Sequence, residues 1–420
     1  MKTINGSKLI ILDGGLGSTL EETYKQDISL TPLWSAKPIQ ENPELIVDAH
    51  LAFLRAGAEI ILTSTYQCSR ETFEQAGYTP EEGIQIMQKS VKLADDARKA
   101  YLAEEGVQTT KTKEVFVALS LGPFGSSVKP PQDFDGFYPP PFGPKGPSEV
   151  GSTRLFSSSS PSDGDGNSDV VVEEEEKKAI EALAQFHLWR LRAVASNPET
   201  WNAIDYIAFE TIPHLRELRA VKIAMAKFES DDHHTKLGSE GVGRLKGLKG
   251  WWISLVFPEG EGSVQWGPEE REHQTRSLGL DLTNDPSQSE ILSVVLDDEV
   301  GAVPTGFGLN CTKIDGYLSI LSSIVSEPKF VPGVEKGVIP LTLIVYPNGG
   351  RSGDTFDDLT RQWVNDGRPR LDGRNVTWEE EVVEVIQKCR DEWKDVIVGG
   401  CCLVDPPQIK ELKEKVNKTL

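Results

Sequence analysis

The chain has 420 residues, of which 38% are hydrophobic, and a formal net charge of −21 at pH 7. This length allows one large barrel or two to three ordinary domains. The acidic balance argues against a nucleic-acid partner, because phosphate binding needs clustered Lys and Arg. No run of about 18 apolar residues occurs, so we expect no membrane span. Five unevenly spaced cysteines do not suit a disulfide framework, which favours a reducing compartment such as the cytosol.

Eight short apolar runs, each ended by turn or polar residues, recur along the chain. Most are continuously apolar rather than alternating, which is typical of strands that are covered on both faces. We therefore predict eight strands. In chain order they cover residues 8–15, 58–67, 115–125, 204–214, 251–258, 302–312, 340–350 and 395–402.

Amphipathic segments with helical spacing separate these strands. In the first of them Leu45, Ala49 and Phe53 recur at four-residue intervals, with Pro43 near the start and Gly57 at the end. Further helices are predicted at 179–195, 290–296, 317–325, 379–393 and 406–416. Strands that alternate with helices predict an α/β fold with a parallel sheet, and eight such units close into a (β/α)8 TIM-type barrel. A doubly wound open sheet is the alternative, although no G-x-G-x-x-G loop follows the first strand.

Two polar stretches, 143–178 and 229–250, interrupt this alternation. The first is rich in Ser, Gly, Asp and Glu and cannot bury a core, so we expect a disordered or low-complexity insertion. The second is predicted to be a further polar insertion. Strand–helix units resume after each stretch, which predicts one barrel domain over 1–420 with two loop insertions.

Three of the five cysteines stand at predicted strand ends. Cys311 ends the sixth strand, and the adjacent pair Cys401 and Cys402 ends the eighth. The carboxyl ends of the strands of a β/α barrel share one rim, where active sites lie, so these thiols are expected to converge. Three thiolates at one point need a cation, and Zn²⁺ suits sulfur ligands and tetrahedral geometry. The alternative is a pair of small buried residues at a strand end.

The cysteine pattern also indicates a type of chemistry. No C-x-x-C and no nearby histidine offers a fourth ligand, so an open catalytic site fits better than a closed structural one. Zinc held by three thiolates suits the task of keeping a substrate thiol deprotonated near neutral pH, where a free thiol with a pKa of about 8.5 is mostly protonated. The pattern therefore predicts thiol alkylation.

Two carboxylates, Asp13 and Glu210, stand at the same predicted rim. Both could bind the ammonium group of a substrate. Asp13 could instead organise the Asp-Gly-Gly turn, and Glu210 could cap the next helix.

Several segments resemble a known family. "LDGGLGSTLE" (12–21), "LSLGPFGS" (119–126), "AFETIP" (208–213), "GLNCT" (308–312) and "VGGCC" (398–402) stand in the order found in the homocysteine S-methyltransferases, zinc enzymes on a β/α barrel that convert homocysteine to methionine. The resemblance spans nearly the whole chain, and the GxNC and GGCC motifs are its most specific part. The segment "FDGFYPPPFGPKG" looks most like fungal members.

The resemblance implies roles for individual residues. It implies that Cys311, Cys401 and Cys402 bind zinc and that the sulfur of homocysteine completes the coordination. It implies a sulfonium methyl donor, S-methylmethionine or S-adenosylmethionine, with betaine as a further option. Residues implied to bind the amino acid or to line its pocket are Asp13, Glu210, Thr63, Gln67 and Asn348.

One departure from the family pattern follows the cysteine pair. Leu403, Val404 and Asp405 stand where the family commonly has Arg-Thr-(Thr or Ser). This leaves two other functions open. One is a catalytically silent zinc barrel that binds thiol metabolites or a partner protein, and the other is alkyl transfer to another small thiol or a selenol.

Overall fold

The computed structural model describes most of the barrel and its surrounding helices. The predicted insertions 143–178 and 229–250 lie mainly outside the described residues, except for 143, 167–178, 229–231 and 249–250. The described residues are 2–4, 7–29, 31–104, 114–134, 136–143, 167–231, 249–257, 288–325, 338–349, 354–357, 362–365 and 376–420.

The strands lie where the apolar runs predict them, and they form a nearly closed barrel of eight parallel strands, which confirms the (β/α)8 fold. The barrel consists of β2 to β8 and β11. A short hairpin strand, β1, pairs antiparallel with β2, and β9 and β10 form a separate two-stranded sheet. In chain order the strands are β1 (Lys2–Ile4), β2 (Ser7–Ile11), β3 (Ile60–Leu62), β4 (Phe116–Leu121), β5 (Tyr206–Ile212), β6 (Gly250–Leu255), β7 (Gly306–Lys313), β8 (Ile339–Asn348), β9 (Asp354–Asp357), β10 (Gln362–Asn365) and β11 (Trp393–Val398).

The barrel closes where the first and second barrel strands, β2 and β3, meet. β11 pairs with both β2 and β8, so the last barrel strand lies beside the first. Between β2 and β3 a parallel bridge joins Leu12 to Ile60. Two backbone bonds extend this seam, from Glu59 N to Ile11 O at 2.7 Å and from Asp13 N to Ile60 O at 3.0 Å. Asp13 therefore lies on the seam itself.

Helices surround the barrel and lie between successive strands. The first predicted helix is confirmed, since it begins at Pro43 and ends before Gly57, whose φ of 110° is left-handed. The α-helices are α1 (Leu16–Glu22), α2 (Pro38–Glu41), α3 (Pro43–Ala56), α4 (Arg70–Gln75), α5 (Pro80–Ala103), α6 (Asn167–Ala195), α7 (Pro198–Ala203), α8 (Leu215–Ser230), α9 (Gln288–Leu296), α10 (Ile314–Val325), α11 (Trp378–Cys389) and α12 (Pro406–Thr419).

Two helix boundaries differ from the prediction by four residues or more. Residues 167–178, predicted as part of a polar insertion, form the first turns of α6, where Glu173 pairs with Lys177 four residues later at 2.6 Å. Helix α11 ends at Cys389, four residues earlier than predicted, because a 3-10 turn over Arg390–Glu392 leads into β11.

Two apolar layers hold the barrel together. Inside it, side chains such as Ile10, Ala118, Trp252 and Ile344 fill the axis. A larger layer lies between the strands and the helices. Within the described ranges no helix combines the length and apolarity needed to cross a membrane. The axis is therefore a packed core, and chemistry is confined to the rim.

Candidate metal centre and substrate pocket

The three cysteines of the predicted site meet at the carboxyl end of the barrel. Cys311 lies near the end of β7, and Cys401 and Cys402 follow β11. Their sulfur atoms all lie within 4.8 Å of one another, and Cys311 Sγ is 2.7 Å from Cys401 Sγ. In the described part of the chain this is the one group of three or more side chains that could hold a metal ion.

The hydrogen bonds among the thiols concentrate negative charge on Cys401. Hydrogen bonds donated by the Cys311 and Cys402 thiols hold the pKa of Cys401 well below its usual range. Donation to Cys401 raises the pKa of Cys311 well above its own usual range. A bound cation would replace these shared protons, and the soft sulfur set fits Zn²⁺.

Asn310 and Thr211 hold the sulfur of Cys311 from the side. The amide of Asn310 accepts from Thr211 N at 2.7 Å and donates to Thr211 Oγ1 at 2.8 Å and to Cys311 Sγ at 3.3 Å. Thr211 and Cys311 have φ angles of 60° and 50°, in the left-handed region that costs non-glycine residues about 1–3 kcal/mol. Both polar residues stand next to predicted site residues in the sequence, but their pairing across 99 positions was not predicted.

The three residues after the cysteine pair, where the chain departs from the family pattern, have structural roles. Leu403 has a φ of 62°, and its N–H donates to Ser18 Oγ at 3.0 Å. Val404 is fully buried and packs closely against Gly14 and Gly400. Asp405 caps α12 and accepts from Gln408 N at 3.0 Å. These three residues therefore fix the turn that presents the thiols.

Glu210 is buried, and it faces the pocket beside the cysteines. It accepts hydrogen bonds from the Ser120 and Tyr346 hydroxyls. Burial raises its pKa to about 8, with a further contribution from the charge of Cys401. The carboxyl is thus largely protonated near neutral pH until a cation approaches it.

Asp13 lies behind the wall of this pocket rather than in its lining. Its Oδ2 accepts from Leu62 N at 2.8 Å, and its Oδ1 has no hydrogen-bond partner. Burial raises its pKa well above the usual range, and the nearby charge of Glu210 raises it further. The two carboxyls therefore interact electrostatically at one side of the pocket.

One cleft joins the cysteines to Glu210. Of the other predicted pocket residues, Thr63 and Gln67 line it, and Oε1 of Gln67 has no hydrogen-bond partner. Asn348 is buried outside the lining, and its backbone carbonyl accepts from Trp378 Nε1 at 2.9 Å. Lining residues that were not predicted are Gly14, Gly15, Leu16, Gly17, Ser18, Glu21, Trp34, Ser35, Leu62, Tyr66, Ser120, Asp133, Phe134, Asn310, Tyr346 and Gly400.

Aromatic and acidic side chains form another part of the lining. Trp34 and Tyr66 pack edge to face with ring centroids 6.2 Å apart, and Phe134 lines the same cleft. Tyr66 donates to Asp133 Oδ2 at 3.3 Å, and Glu21 adds a second carboxylate. Aromatic faces combined with carboxylates are suited to a cationic ligand.

The chain matches a known protein family over most of its length. The sequence model of the family described as homocysteine S-methyltransferase matches residues 10–416. The chain belongs to the homocysteine S-methyltransferase family. This confirms the resemblance of the sequence motifs and identifies the chain as a member of a family of methyltransferase enzymes.

Named relatives align over almost the full length of the chain. Homocysteine S-methyltransferase 2 of Arabidopsis thaliana is 26% identical over 97% of this chain and 93% of its own length. Selenocysteine Se-methyltransferase of Brassica oleracea var. italica is 25% identical over 97% of this chain and 88% of its own length. Betaine-homocysteine S-methyltransferase of Drosophila melanogaster is 26% identical over 97% of this chain and 94% of its own length. Members of the homocysteine S-methyltransferase family thus differ in donor and acceptor.

A solved structure has the same fold as this chain. The homocysteine methyltransferase MmuM of Escherichia coli, in a metallated form, matches with a TM-score of 0.57 at 22% identity over 97% of this chain and 96% of its own. At this level of identity the match supports the barrel fold of the homocysteine S-methyltransferase family.

Proposed function

We propose that this protein transfers a methyl group from a sulfonium donor to the thiol of L-homocysteine, giving methionine, with zinc as its metal. The observation that carries the proposal is one cleft with three converging thiols on one side and the buried carboxyl of Glu210 on another. Homocysteine has a thiol at one end and an ammonium group at the other. The three thiols and Glu210 therefore match the two ends of this substrate.

Cys311, Cys401 and Cys402 would hold the zinc, because their sulfurs already lie within 4.8 Å of one another and Asn310 donates to that of Cys311. When bound, zinc supplies the positive charge that keeps a substrate thiol deprotonated near neutral pH. The thiol ligands must stay reduced, which suits a reducing compartment such as the cytosol.

The other residues of the cleft bind and orient the amino acid part. Glu210 would receive the ammonium group and lose its own proton in exchange, with the buried carboxyl of Asp13 behind it. Thr63 and Gln67 line the same side, and the unpartnered Oε1 of Gln67 offers a hydrogen-bond acceptor. Held at both ends, the substrate would present its sulfur in line with the donor methyl, which is the alignment that displacement requires.

The proposed donor is S-methylmethionine or S-adenosylmethionine. Both carry a positively charged sulfur, and the cleft offers Trp34, Tyr66 and Phe134 together with two carboxylates. The arrangement also accommodates the quaternary ammonium of betaine, so the donor must be identified by experiment. We further propose that 1–420 form one barrel domain, with insertions over those parts of 143–178 and 229–250 that lie outside α6, α8 and β6.

The test is methionine formation by reduced, zinc-loaded protein, measured by mass spectrometry. Homocysteine is supplied with methyl-labelled S-methylmethionine, S-adenosylmethionine or betaine in parallel, and a chelator-treated sample is the control. Label in methionine that is lost on chelation supports the reaction and identifies the donor. No label from any donor, with zinc bound, contradicts it and favours a barrel that only binds thiols or a partner protein.

A second acceptor is favoured by one observation. The Brassica relative, which aligns over 97% of this chain, is named for methyl transfer to selenocysteine. A selenol is more acidic than a thiol and could use the same metal centre. Competition between equal concentrations of homocysteine and selenocysteine, with one labelled donor, measures the ratio of the two kcat/KM values directly.

A further inference from the structure

We propose that Asp133 is the counter-ion of the positively charged sulfur in the methyl donor and that it selects a cationic ligand over its neutral counterpart. This inference rests on the proposed function, because it assigns a role within the donor part of the same cleft. Asp133 was not among the residues predicted from the sequence, and its role follows from its position and chemistry.

Asp133 is buried and yet faces the cleft. The residue is 6% exposed, and it lines the cavity that contains the cysteines. The hydroxyl of Tyr66 donates to Asp133 Oδ2 over a long distance of 3.3 Å. Tyr66, Phe134 and the three cysteines line the same cleft, so Asp133 shares it with both the aromatic wall and the thiols. No lysine or arginine is among the residues that line the cleft, in the part of the chain that the structure describes.

Contacts within the protein hold the loop that carries Asp133. Gln132 N donates to Gly125 O at 2.9 Å, and a Cβ on Gly125 would lie only 2.3 Å from Gln132 O. The two ends of the loop are held by one buried carboxylate, Glu217, which accepts from Phe124 N at 2.7 Å and from the hydroxyl of Tyr138 at 2.5 Å. Asp133 is therefore a preorganised charge rather than a side chain on a free loop.

The chemistry of the transfer predicts which kinetic constant depends on this charge. The bond between the methyl carbon and the donor sulfur breaks, and its electron pair stays on that sulfur, which becomes a neutral thioether. A new bond forms between the methyl carbon and the acceptor sulfur, whose thiol proton goes to solvent. Positive charge at the donor sulfur therefore disappears along the reaction. A carboxylate beside that sulfur stabilises the bound donor more than the transition state and favours release of the neutral product.

The decisive variant is Asp133→Asn, which keeps the size and the hydrogen bond to Tyr66 but removes the charge. We expect KM for the sulfonium donor to rise about tenfold with kcat unchanged or raised, a pattern that marks lost ground-state binding.

A binding measurement gives a second readout. S-methylmethionine and methionine differ by one methyl and one charge, so the ratio of their dissociation constants measures selection for charge.

The measurement is calorimetric titration of reduced, zinc-loaded full chain with S-methylmethionine and with methionine. We expect the wild-type preference for the cation to fall about tenfold in Asp133→Asn, and to be largely kept in Asp133→Glu. Asp391→Asn is the matched control, because Asp391 precedes β11 at the opposite end of the barrel and its side chain is 75% exposed. Its preference should equal that of the wild type.

The outcomes separate this inference from the proposed reaction. An unchanged preference in Asp133→Asn, equal weakening of both ligands, or no preference in the wild type overturns the counter-ion role. If the wild type transfers the methyl group and any of these results is found, the proposed reaction stands and the counter-ion role of Asp133 is rejected. An Asp133-dependent preference in a wild type that transfers no methyl group supports the counter-ion and rejects the reaction.

Discussion

Glu217 offers a sharp test of how the donor side of the cleft is built. This carboxylate is 0% exposed and accepts from Phe124 N at 2.7 Å, from Tyr138 at 2.5 Å and from His187 Nε2 at 2.9 Å. Burial opposes its ionisation, but the hydrogen bond from His187 and the other donors hold its pKa below the usual range. Burial and the charge of Arg190 lower the pKa of His187 to about 4, so this ring is neutral and accepts from Arg190 at 2.5 Å.

The perturbation is Glu217→Gln, which keeps the shape and removes the charge. Hydrogen bonds to a charged group contribute about 1.5–3 kcal/mol each, roughly twice the value for neutral ones. Loss of charge from three such bonds should cost about 3 kcal/mol, and the uncompensated charge of Arg190 raises this towards about 5 kcal/mol. Tyr138→Phe removes one donor only and should cost about 2 kcal/mol.

The assay is urea unfolding followed by circular dichroism and tryptophan fluorescence. The curves of all variants are fitted with one shared slope of the free energy of unfolding against urea concentration. Glu414→Gln is the matched control, since its side chain is 54% exposed and it pairs only loosely with Lys418 at 3.9 Å. The control should stay within about 0.5 kcal/mol of the wild type. A cost below about 1 kcal/mol for Glu217→Gln, on the scale of a neutral hydrogen bond, refutes the reasoning.

Three further predictions concern the metal site, the carboxyl and the turn. Cys311→Ser should lose most of its zinc on dialysis, measured by elemental mass spectrometry, and stoichiometric retention would contradict the three-cysteine site. Burial raises the pKa of Glu210 to about 8, so methionine, which brings an ammonium but no thiol, should release a proton on binding at pH 7. Calorimetry in buffers of different ionisation enthalpy should show this release fading above pH 8 and absent in Glu210→Gln. Val404→Thr buries a hydroxyl beside Gly14 and Gly400 and should lower the free energy of unfolding by about 1–3 kcal/mol. An unchanged denaturation midpoint would show that the hydroxyl finds a partner there.

The sequence predicts those features that depend on local pattern. Strands are recognisable because residues such as Ile207 and Ile344 stand in continuous apolar runs. The meeting of Cys311 with Cys401 follows from barrel topology, since every strand ends at one rim. The first turns of α6 escaped prediction because the acidic run that suggested a polar insertion also forms i,i+4 ion pairs such as Glu173–Lys177.

Contacts between distant segments were not predictable in the same way. Asn310 and Thr211 meet across 99 positions, and Glu217 reaches Phe124 across 93. Neither pairing leaves a periodic signal in the sequence. Asp133 stands in a polar segment without strand or helix pattern, and only its burial in the cleft distinguishes it from a surface aspartate. The roles assigned to the predicted site residues stay predictions until binding is measured: Cys311, Cys401, Cys402, Asp13, Glu210, Thr63, Gln67 and Asn348.

The position of β11 has a consequence for how the molecule is assembled. This strand lies between β2 and β8, and the turn after it supplies Cys401 and Cys402. A chain under synthesis therefore cannot complete the barrel wall or gather the three thiols until this late segment has been made and inserted. An ion held by all three cysteines would require the last strand to be in place, so it would mark a finished barrel.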